Sequence, residues 1–127
     1  METGIAMLAG KRAKRVGDMV LREIADVLMK KVRDPRVSGV TLSGVWMSKD
    51  LKYARIYYSV LGEDEEVQKA QQGLDSAKGF IRKEVGERLD LKYVPDIQFK
   101  HDPSLDKGDH LEKIFQKLKS EETPDLN

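Results

Sequence analysis

The sequence contains no cysteine, which excludes disulfide bonds, thiolate nucleophiles and metal sites with cysteine ligands. It also lacks any apolar run near the roughly 18 residues that cross a bilayer. Residues 1–10 do not combine a basic stretch with a following apolar one, which is the pattern of a secretory signal. These absences predict a cytoplasmic protein with no membrane segment.

Signature motifs of catalysis are also missing. The sequence has no P-loop, no GxGxxG phosphate loop, no HExxH metal motif and no GxSxG nucleophile motif. The two histidines, His101 and His110, lie close to Asp102, Asp106 and Asp109 in the chain. This group is either a metal site in a loop or a solvated polar turn with a helix cap, and its many turn residues favour the turn. We expect no enzymatic activity, no cofactor and no bound metal.

Charged residues are abundant and unevenly placed. They make up 35% of the 127 residues, and apolar residues make up 39%. The charged share exceeds the roughly 25% of an average soluble domain, which indicates one domain with a modest core and a highly charged surface. The net charge is only +1, yet residues 11–36 contain nine lysines and arginines and only four acids. We therefore expect one basic face, with acid collected in residues 63–66 and in the tail.

The first long element that the sequence predicts is a basic helix over residues 11–32. Apolar residues recur every four positions along it, which is a helical period, and an Asp-Pro pair then ends the helix. Lys11 and Arg15 are one turn apart, and Arg22 lies two turns further on nearly the same face. This basic face either binds nucleic-acid phosphate or is an ordinary solvated helix surface.

Two strands are predicted next, over residues 40–48 and 53–61, because both are rich in β-branched and aromatic residues. The short polar link between them indicates an antiparallel hairpin. Gly44 inside the first strand indicates a bulge or a close backbone approach. The aromatic residues of this region either stack with bases or pack in the core and on the sheet. They are Trp46, Tyr53, Tyr57 and Tyr58.

An acidic run opens a second helix, which complements the helix dipole. We predict that this helix reaches about Ala77, that Gly79 interrupts it and that a third helix then begins. Lys78 and Arg82 flank the interruption. The free amides of a helix start attract phosphate there, although a glycine also suits a tight turn between helices. The remaining predicted elements are a strand over residues 97–100 and a short helix over residues 111–118.

Several short strings stand in a specific order along the chain. They are Arg15-Val16, Asp34-Pro35-Arg36, Val45, Ser48, Asp50-Leu51, Ala54, Ala77-Lys78-Gly79-Phe80-Ile81-Arg82, Pro95, Phe99, Asp102, Ser104 and Gly108. Together with the order of the elements, these strings resemble ribosome-binding factor A, a bacterial family of assembly factors for the small ribosomal subunit. The resemblance covers about residues 11–118.

The resemblance implies an α+β, type II KH-like fold with the order α-β-β-α-α-β and a short C-terminal helix. Most KH domains clamp nucleotides with a GxxG loop, and this sequence has no two glycines three positions apart. In the family an Ala-x-Gly interhelical kink takes that place, and Ala77-Lys78-Gly79 fits it. The implied organisation is a flexible N-terminus over residues 1–10, a KH-like RNA-binding domain over residues 11–118 and a disordered tail over residues 119–127.

The resemblance also implies a function. The family binds the free small (30S) ribosomal subunit at 16S rRNA, near its 5′-terminal helix, and promotes 16S rRNA processing, subunit maturation and growth in the cold. It acts without catalysis, and a ribosome-maturation GTPase is expected to release it. We expect a monomer. The alternatives are a general KH-like single-stranded RNA-binding protein and a protein-interaction module.

Carried over to this sequence, the RNA-facing groups lie on the first helix, around the hairpin and at the interhelical kink. They are Lys11, Arg12, Arg15, Arg22, Arg36, Lys49, Lys52, Lys78 and Arg82. For Arg36 the local sequence offers a structural alternative, because its guanidinium can pair with Asp34.

Overall fold

Within residues 2–103, two helices pack on one face of a three-stranded sheet. This is a computed structural model that describes those residues, with side chains from Gly10 onwards. The elements are α1 (Glu2–Lys30), a 3₁₀ turn (Pro35–Val37), β1 (Val40–Met47), β2 (Tyr53–Val60), α2 (Asp64–Arg88) and β3 (Asp96–His101). The predicted α+β class is confirmed. The predicted C-terminal helix and tail lie outside the described residues.

Helix α1 begins at Glu2 and not at Lys11, which corrects the predicted start. Residues 2–10 contain no proline and are rich in alanine, methionine and leucine, so the helix formers outweigh the two glycines there. The helix ends at Lys30, close to the predicted end. Beyond it, Asp34 has an extended backbone with a φ of −122°, as the residue before a proline prefers.

The predicted hairpin is confirmed. Strands β1 and β2 pair antiparallel, and their register shifts between Leu42 and Gly44, so the predicted bulge is present with Ser43 as the extra residue. Strand β3 pairs in parallel with the other edge of β2, which gives the strand order β1-β2-β3. A parallel pair requires the chain to return to the end of the sheet from which β2 started, and α2 makes that crossing.

Helix α2 runs without interruption, so the predicted pair of helices is a single element. Gly79 lies on its solvent side, where an added Cβ would meet nothing within 4 Å. One glycine costs a helix only about 1 kcal/mol, and a continuous apolar stripe outweighs that cost. The predicted order α-β-β-α-α-β is therefore corrected to α-β-β-α-β over the described residues. The stripe consists of Ala70, Leu74, Ala77, Ile81 and Val85.

The core lies between the two helices and the inner face of the sheet. Its most deeply buried side chains are Val20, Ile24, Val27, Ile56, Tyr58, Leu74, Ile81, Val85 and Ile97. Burial alternates along the first part of β2, as in a strand with one face on the core. The outer face of the sheet is exposed at Trp46 and Tyr53. Neither described helix is both long enough and apolar enough to cross a membrane.

Helix α1 runs antiparallel to β1. At Gly17 it lies against the end of the strand, where an added Cβ would be 3.3 Å from the Met47 Cβ and 3.6 Å from Val45. Later in the helix, Ala25 lines a groove with the start of β1. The helix rises by about 1.5 Å per residue, so residues 11–15 extend past the end of β1, toward the turn that joins β1 to β2.

Candidate nucleic-acid interface

Five of the predicted RNA-facing cations lie toward one end of the molecule, which we call the basic pole. They are Lys11, Arg12, Arg15, Lys49 and Lys52. The first three come from the part of α1 that extends past β1, and the last two belong to the hairpin turn. All five are exposed, and none forms an ion pair or a side-chain hydrogen bond with another described residue. Their charges are therefore available to bind phosphate.

A small hydrogen-bond network fixes the turn that carries Lys49 and Lys52. The Ser48 hydroxyl donates to Asp50 Oδ1 at 2.6 Å, and the same oxygen accepts from the backbone N–H of Lys52 at 3.0 Å. Ser48 Oγ in turn accepts from the backbone N–H of Tyr53 at 3.0 Å. The Ser48 hydroxyl, and then the Lys52 amide, lower the pKa of Asp50 below its ordinary value. The two lysines thus flank a turn of defined shape.

Arg22 extends the basic surface further along α1, and Lys14 adds a charge within it. Arg22 is exposed and lies seven residues after Arg15, which is about 10 Å along the helix axis. It has no ion-pair partner among the described residues. Lys14 is exposed as well, although the predicted set omits it. The sequence feature that could have identified Lys14 is its place in a run of four cations within residues 11–15.

Arg36 takes part in an ion pair at the opposite end of the molecule, just before β1. It donates from Nη2 to Asp34 Oδ2 at 2.7 Å and from Nε to Asp34 Oδ1 at 3.1 Å. This pairing lowers the pKa of Asp34 and raises the pKa of the Arg36 guanidinium. Arg36 also packs against Gly73, where an added Cβ would lie 3.0 Å from the Arg36 Cβ. The geometry supports the structural alternative for this residue.

Lys78 and Arg82 lie inside a continuous helix and not at a helix start. The backbone amides of this segment belong to the interior of α2, so the phosphate site predicted at a helix N-terminus is not formed, which is a correction. Arg82 donates from Nε to the Pro95 carbonyl at 3.1 Å and from Nη2 to the Val94 carbonyl at 3.2 Å. It therefore holds the chain that enters β3. Lys78 is half-buried and lines a cleft of about 220 Å³ together with Lys100.

Other cations of the two helices are neutralised where the helices pack together. Arg88 donates to Asp26 at 2.6 Å and to Glu23 at 3.2 Å, and Lys31 reaches Glu84 at 3.3 Å. The hydrogen bond from Arg88 is the main reason that the pKa of Asp26 is lowered. Ion pairing therefore occupies Arg88 of α2 and Lys31 just after α1, whereas the cations of residues 11–15 remain exposed.

The aromatic residues divide between the core and the outer face of the sheet. Tyr58 is buried, and its hydroxyl donates to Gln71 Oε1 at 2.6 Å, so it belongs to the core. Tyr57 is half-buried on the outer face, where Trp46 and Tyr53 are exposed. Of the two alternatives that the sequence leaves open, core packing holds for Tyr58, and stacking stays open for Trp46 and Tyr53.

Within residues 2–103 no group of three or more His, Asp or Glu side chains is placed to hold a metal ion. His101 ends β3, and Asp102 follows it. The other members of the candidate loop site, Asp106, Asp109 and His110, lie outside the described residues. The choice between a loop metal site and a polar turn therefore stays a prediction.

Comparisons with known proteins agree on one family. The model of the ribosome-binding factor A family matches residues 12–115. Ribosome-binding factor A of Enterococcus faecalis is 48% identical over 112 residues, which cover 87% of this chain and 97% of that relative. The crystal structure of ribosome-binding factor A from Thermus thermophilus covers 70% of this chain and 93% of its own, with a TM-score of 0.63 and 21% identity.

A further similar structure is a homology model of Thermus thermophilus ribosome-binding factor A, fitted into a cryo-EM map of a complex of the 30S subunit with that factor. It covers 69% of this chain and 92% of its own, with a TM-score of 0.57 and 22% identity. At such identities the two Thermus structures bear on the fold alone. The family match spans most of the sequence and the Enterococcus relative is similar over nearly its full length, so the chain belongs to the ribosome-binding factor A family.

Proposed function

We propose that this protein binds the free 30S ribosomal subunit at 16S rRNA, near its 5′-terminal helix, and promotes 16S rRNA processing and subunit maturation without catalysing a reaction. Family membership supports the proposal, because a member of the same family has been fitted into a map of a 30S complex. The observation that carries it is the basic pole, whose five exposed cations form no ion pair with another described residue.

The side chains of the basic pole suit binding of the phosphate backbone better than recognition of a base sequence. Lysine and arginine side chains that neutralise phosphates release condensed counterions, which makes binding strong at low salt. Phosphate contacts fix the position of a protein on RNA but carry no sequence information. Because these cations come from one helix and one well-defined turn, they form a pattern of fixed spacing. Such a pattern matches a folded rRNA surface better than a flexible single strand.

Membership of the family also supports more detailed parts of the proposal. The protein acts as a monomer in the cytoplasm, supports growth in the cold and is released from the subunit by a ribosome-maturation GTPase. The KH-like interpretation of the fold belongs to the proposal as well. Two helices on one face of a three-stranded sheet support it, in a form where one long α2 replaces the expected helix pair.

Co-sedimentation with isolated ribosomal subunits tests the proposal. The full-length protein is incubated at low salt with either 30S or 50S subunits, and each mixture is centrifuged through a sucrose cushion. We expect the protein to pellet with 30S subunits and to stay in the supernatant with 50S subunits. Absence from the 30S pellet, or equal pelleting with both subunits, would contradict the proposal. Accumulation of unprocessed 16S rRNA in cells depleted of the protein tests the part that concerns maturation.

A further inference from the structure

The outer face of the sheet carries a small pocket of about 230 Å³, which we call the sheet-face pocket. It is lined by Trp46, Tyr53, Ala54, Arg55, Asp96 and Gln98. In the strand register, Trp46, Arg55 and Gln98 form one row across the three strands, and Tyr53 and Asp96 form the next row. The pocket therefore lies between two adjacent rows of side chains that the sheet holds at fixed spacing.

Two aromatic side chains dominate this pocket. Trp46 is 47% exposed and Tyr53 is 56% exposed. The guanidinium carbon of Arg55 lies 5.0 Å from the centre of the Trp46 ring, a cation–π contact that restrains both side chains. Aromatic rings and guanidinium planes of this kind stack with nucleobases. The pocket is smaller than the roughly 300–1,000 Å³ of sites for drug-sized ligands, so it suits a single ring system.

The polar groups of the pocket limit which base fits. Neither the Asp96 carboxylate nor the Gln98 amide forms a side-chain hydrogen bond or ion pair with another described residue. An ionised carboxylate only accepts hydrogen bonds, and its two oxygens suit two neighbouring donors. On the Watson–Crick edge, guanine presents two such donors, N1–H and the N2 amino group. Adenine, cytosine and uracil each place a single donor group beside an acceptor. That acceptor would face a carboxylate oxygen, and the two would repel each other.

We propose that the sheet-face pocket binds one unpaired guanine base of RNA. The base stacks against Trp46 and Tyr53, and its Watson–Crick edge meets the Asp96 carboxylate. Lys52 adjoins the pocket, because its backbone carbonyl accepts from the Asp96 amide at 2.8 Å. Lys52, which also interacts electrostatically with Asp50, and Arg55 place two cations beside the pocket for the phosphates of the bound strand. The proposal rests on the proposed function only in taking RNA as the partner.

The test uses the fluorescence of Trp46, the only tryptophan in the chain, as a direct report from the pocket. The full-length protein is titrated with three RNA hexamers: uridine throughout, or uridine with one internal guanosine or one internal adenosine. We expect the guanosine hexamer to quench Trp46 saturably and to bind roughly 5- to 100-fold tighter than the others, which corresponds to one bidentate base contact.

Three single variants sharpen the test. Tyr53→Ala should weaken binding of the guanosine hexamer by roughly 5- to 100-fold, the effect of losing one base–aromatic stack. Asp96→Asn should remove the preference for guanosine and leave binding of the uridine hexamer nearly unchanged. Tyr93→Ala is the matched control, because Tyr93 is an exposed tyrosine outside the pocket. Thermal unfolding verifies that each variant is folded, which we expect because all three side chains are exposed.

Several results would overturn the guanine site. They are equal quenching by all three hexamers, no quenching by any of them, and an unchanged guanosine preference in Asp96→Asn. Quenching that occurs only with intact 30S subunits would also overturn it, since the pocket would then contact a protein or a folded rRNA element.

The hexamer titration and the subunit experiment fail independently. Pelleting with 30S subunits without a hexamer response removes the guanine site and leaves the proposed function in place. A guanosine-specific response without pelleting supports the guanine site and removes the proposed function.

Discussion

Arg88 and Arg15 are both arginines on helices, but their surroundings differ. The side chain of Arg88 extends from α2 toward α1, where the carboxylates of Asp26 and Glu23 accept its hydrogen bonds. Arg15 is exposed and has no ion-pair partner among the described residues. A guanidinium held by carboxylates would have to give up those bonds to bind phosphate, whereas an exposed one gives up only water. Pairing therefore separates the structural cations from those that can bind RNA.

The Asp26–Arg88 contact predicts a specific dependence of stability on pH. The hydrogen bond from Arg88, followed by that from Lys30, lowers the pKa of Asp26 in the folded chain. A carboxyl group with a lowered folded pKa stabilises the fold above its unfolded pKa of about 3.9, and this stabilisation is lost as pH falls through the folded value. We expect Asp26→Asn to lower Tm at neutral pH, with a difference from the parent that closes below about pH 4.

Thermal unfolding, followed by circular dichroism in a series of buffers from acidic to neutral pH, measures this difference. A Tm difference that stays constant across the series would mean that the Asp26 charge is not what stabilises the contact.

Arg82 lies in the set predicted to face RNA, but its contacts are structural. Its two hydrogen bonds to the Pro95 and Val94 carbonyls hold the entry to β3. We expect Arg82→Met, which keeps most of the apolar stem, to lower the free energy of unfolding by about 1–3 kcal/mol. The matched control is Lys83→Met at an exposed neighbouring position, with an effect of about 0.5 kcal/mol or less.

Urea denaturation gives both free energies, and co-sedimentation gives binding to 30S subunits. If Arg82→Met left stability unchanged and weakened 30S binding, Arg82 would belong to the RNA-binding surface after all.

Among the elements, α2 shows how one continuous apolar stripe outweighs a glycine. Gly79 faces open space, whereas Gly73 faces the 3₁₀ turn, where an added Cβ would be 2.7 Å from Val37 Cγ1. We expect Gly79→Ala to raise the free energy of unfolding by about 0.5–1 kcal/mol, since alanine is the better helix former. Gly73→Ala should lower it, because the new methyl group meets a buried valine. Destabilisation by Gly79→Ala would indicate that the glycine is needed for a break in the helix.

The elements that the sequence predicts well are those set by local patterns. The hairpin and its bulge near Gly44 follow from β-branched and aromatic residues, a short polar link and a glycine, and β3 lies where the sequence predicts it. The start of α1 was wrong because no capping residue or proline marks a boundary near Lys11. The continuous α2 was missed because Gly79 received more weight than the stripe on both sides of it. The strand order was not predictable, since β3 is placed by the length and direction of α2.

The candidate site was predictable only in part, because some of its cations have partners that are distant in the sequence. The exposed cations at Lys11 and Arg15 could be identified from their position off the apolar stripe. The Arg36–Asp34 pair was foreseen as an alternative, because the partners are two residues apart. The partners Arg88 and Asp26 are 62 residues apart, so only the folded chain shows that they meet.

Over residues 10–103, the basic pole and an acidic helix turn lie at opposite ends of the sheet. The basic pole surrounds the turn between β1 and β2. The first turn of α2, with Asp64, Glu65 and Glu66, follows the far end of β2. The net charge of +1 hides this separation. Such a charge distribution steers a protein toward a polyanion, so we expect the acidic end to face away from bound RNA.

The salt dependence of binding follows from this arrangement. The affinity for 30S subunits should fall steeply as salt rises, because each phosphate contact releases counterions. We expect Arg15→Ala to reduce the slope of log K against log salt by about one, the loss of one phosphate contact. Lys69→Ala at the start of α2 should leave the slope unchanged. Fluorescence titrations at several salt concentrations measure both slopes, and an unchanged slope for Arg15→Ala would exclude a phosphate contact there.

The most direct test of the account is 30S binding after charge reversal at the basic pole. The double variant Arg15→Glu, Lys52→Glu reverses one exposed cation on α1 and one on the hairpin turn. The control Lys69→Glu, Lys83→Glu makes the same change in net charge on the exposed surface of α2. Both are compared with the parent by co-sedimentation with free 30S subunits at physiological salt, after thermal unfolding verifies their folds. We expect the pole variant to be lost from the pellet while the control stays with the subunit. If the pole variant pelleted to the same extent as the control, the basic pole would not be the surface that binds the subunit.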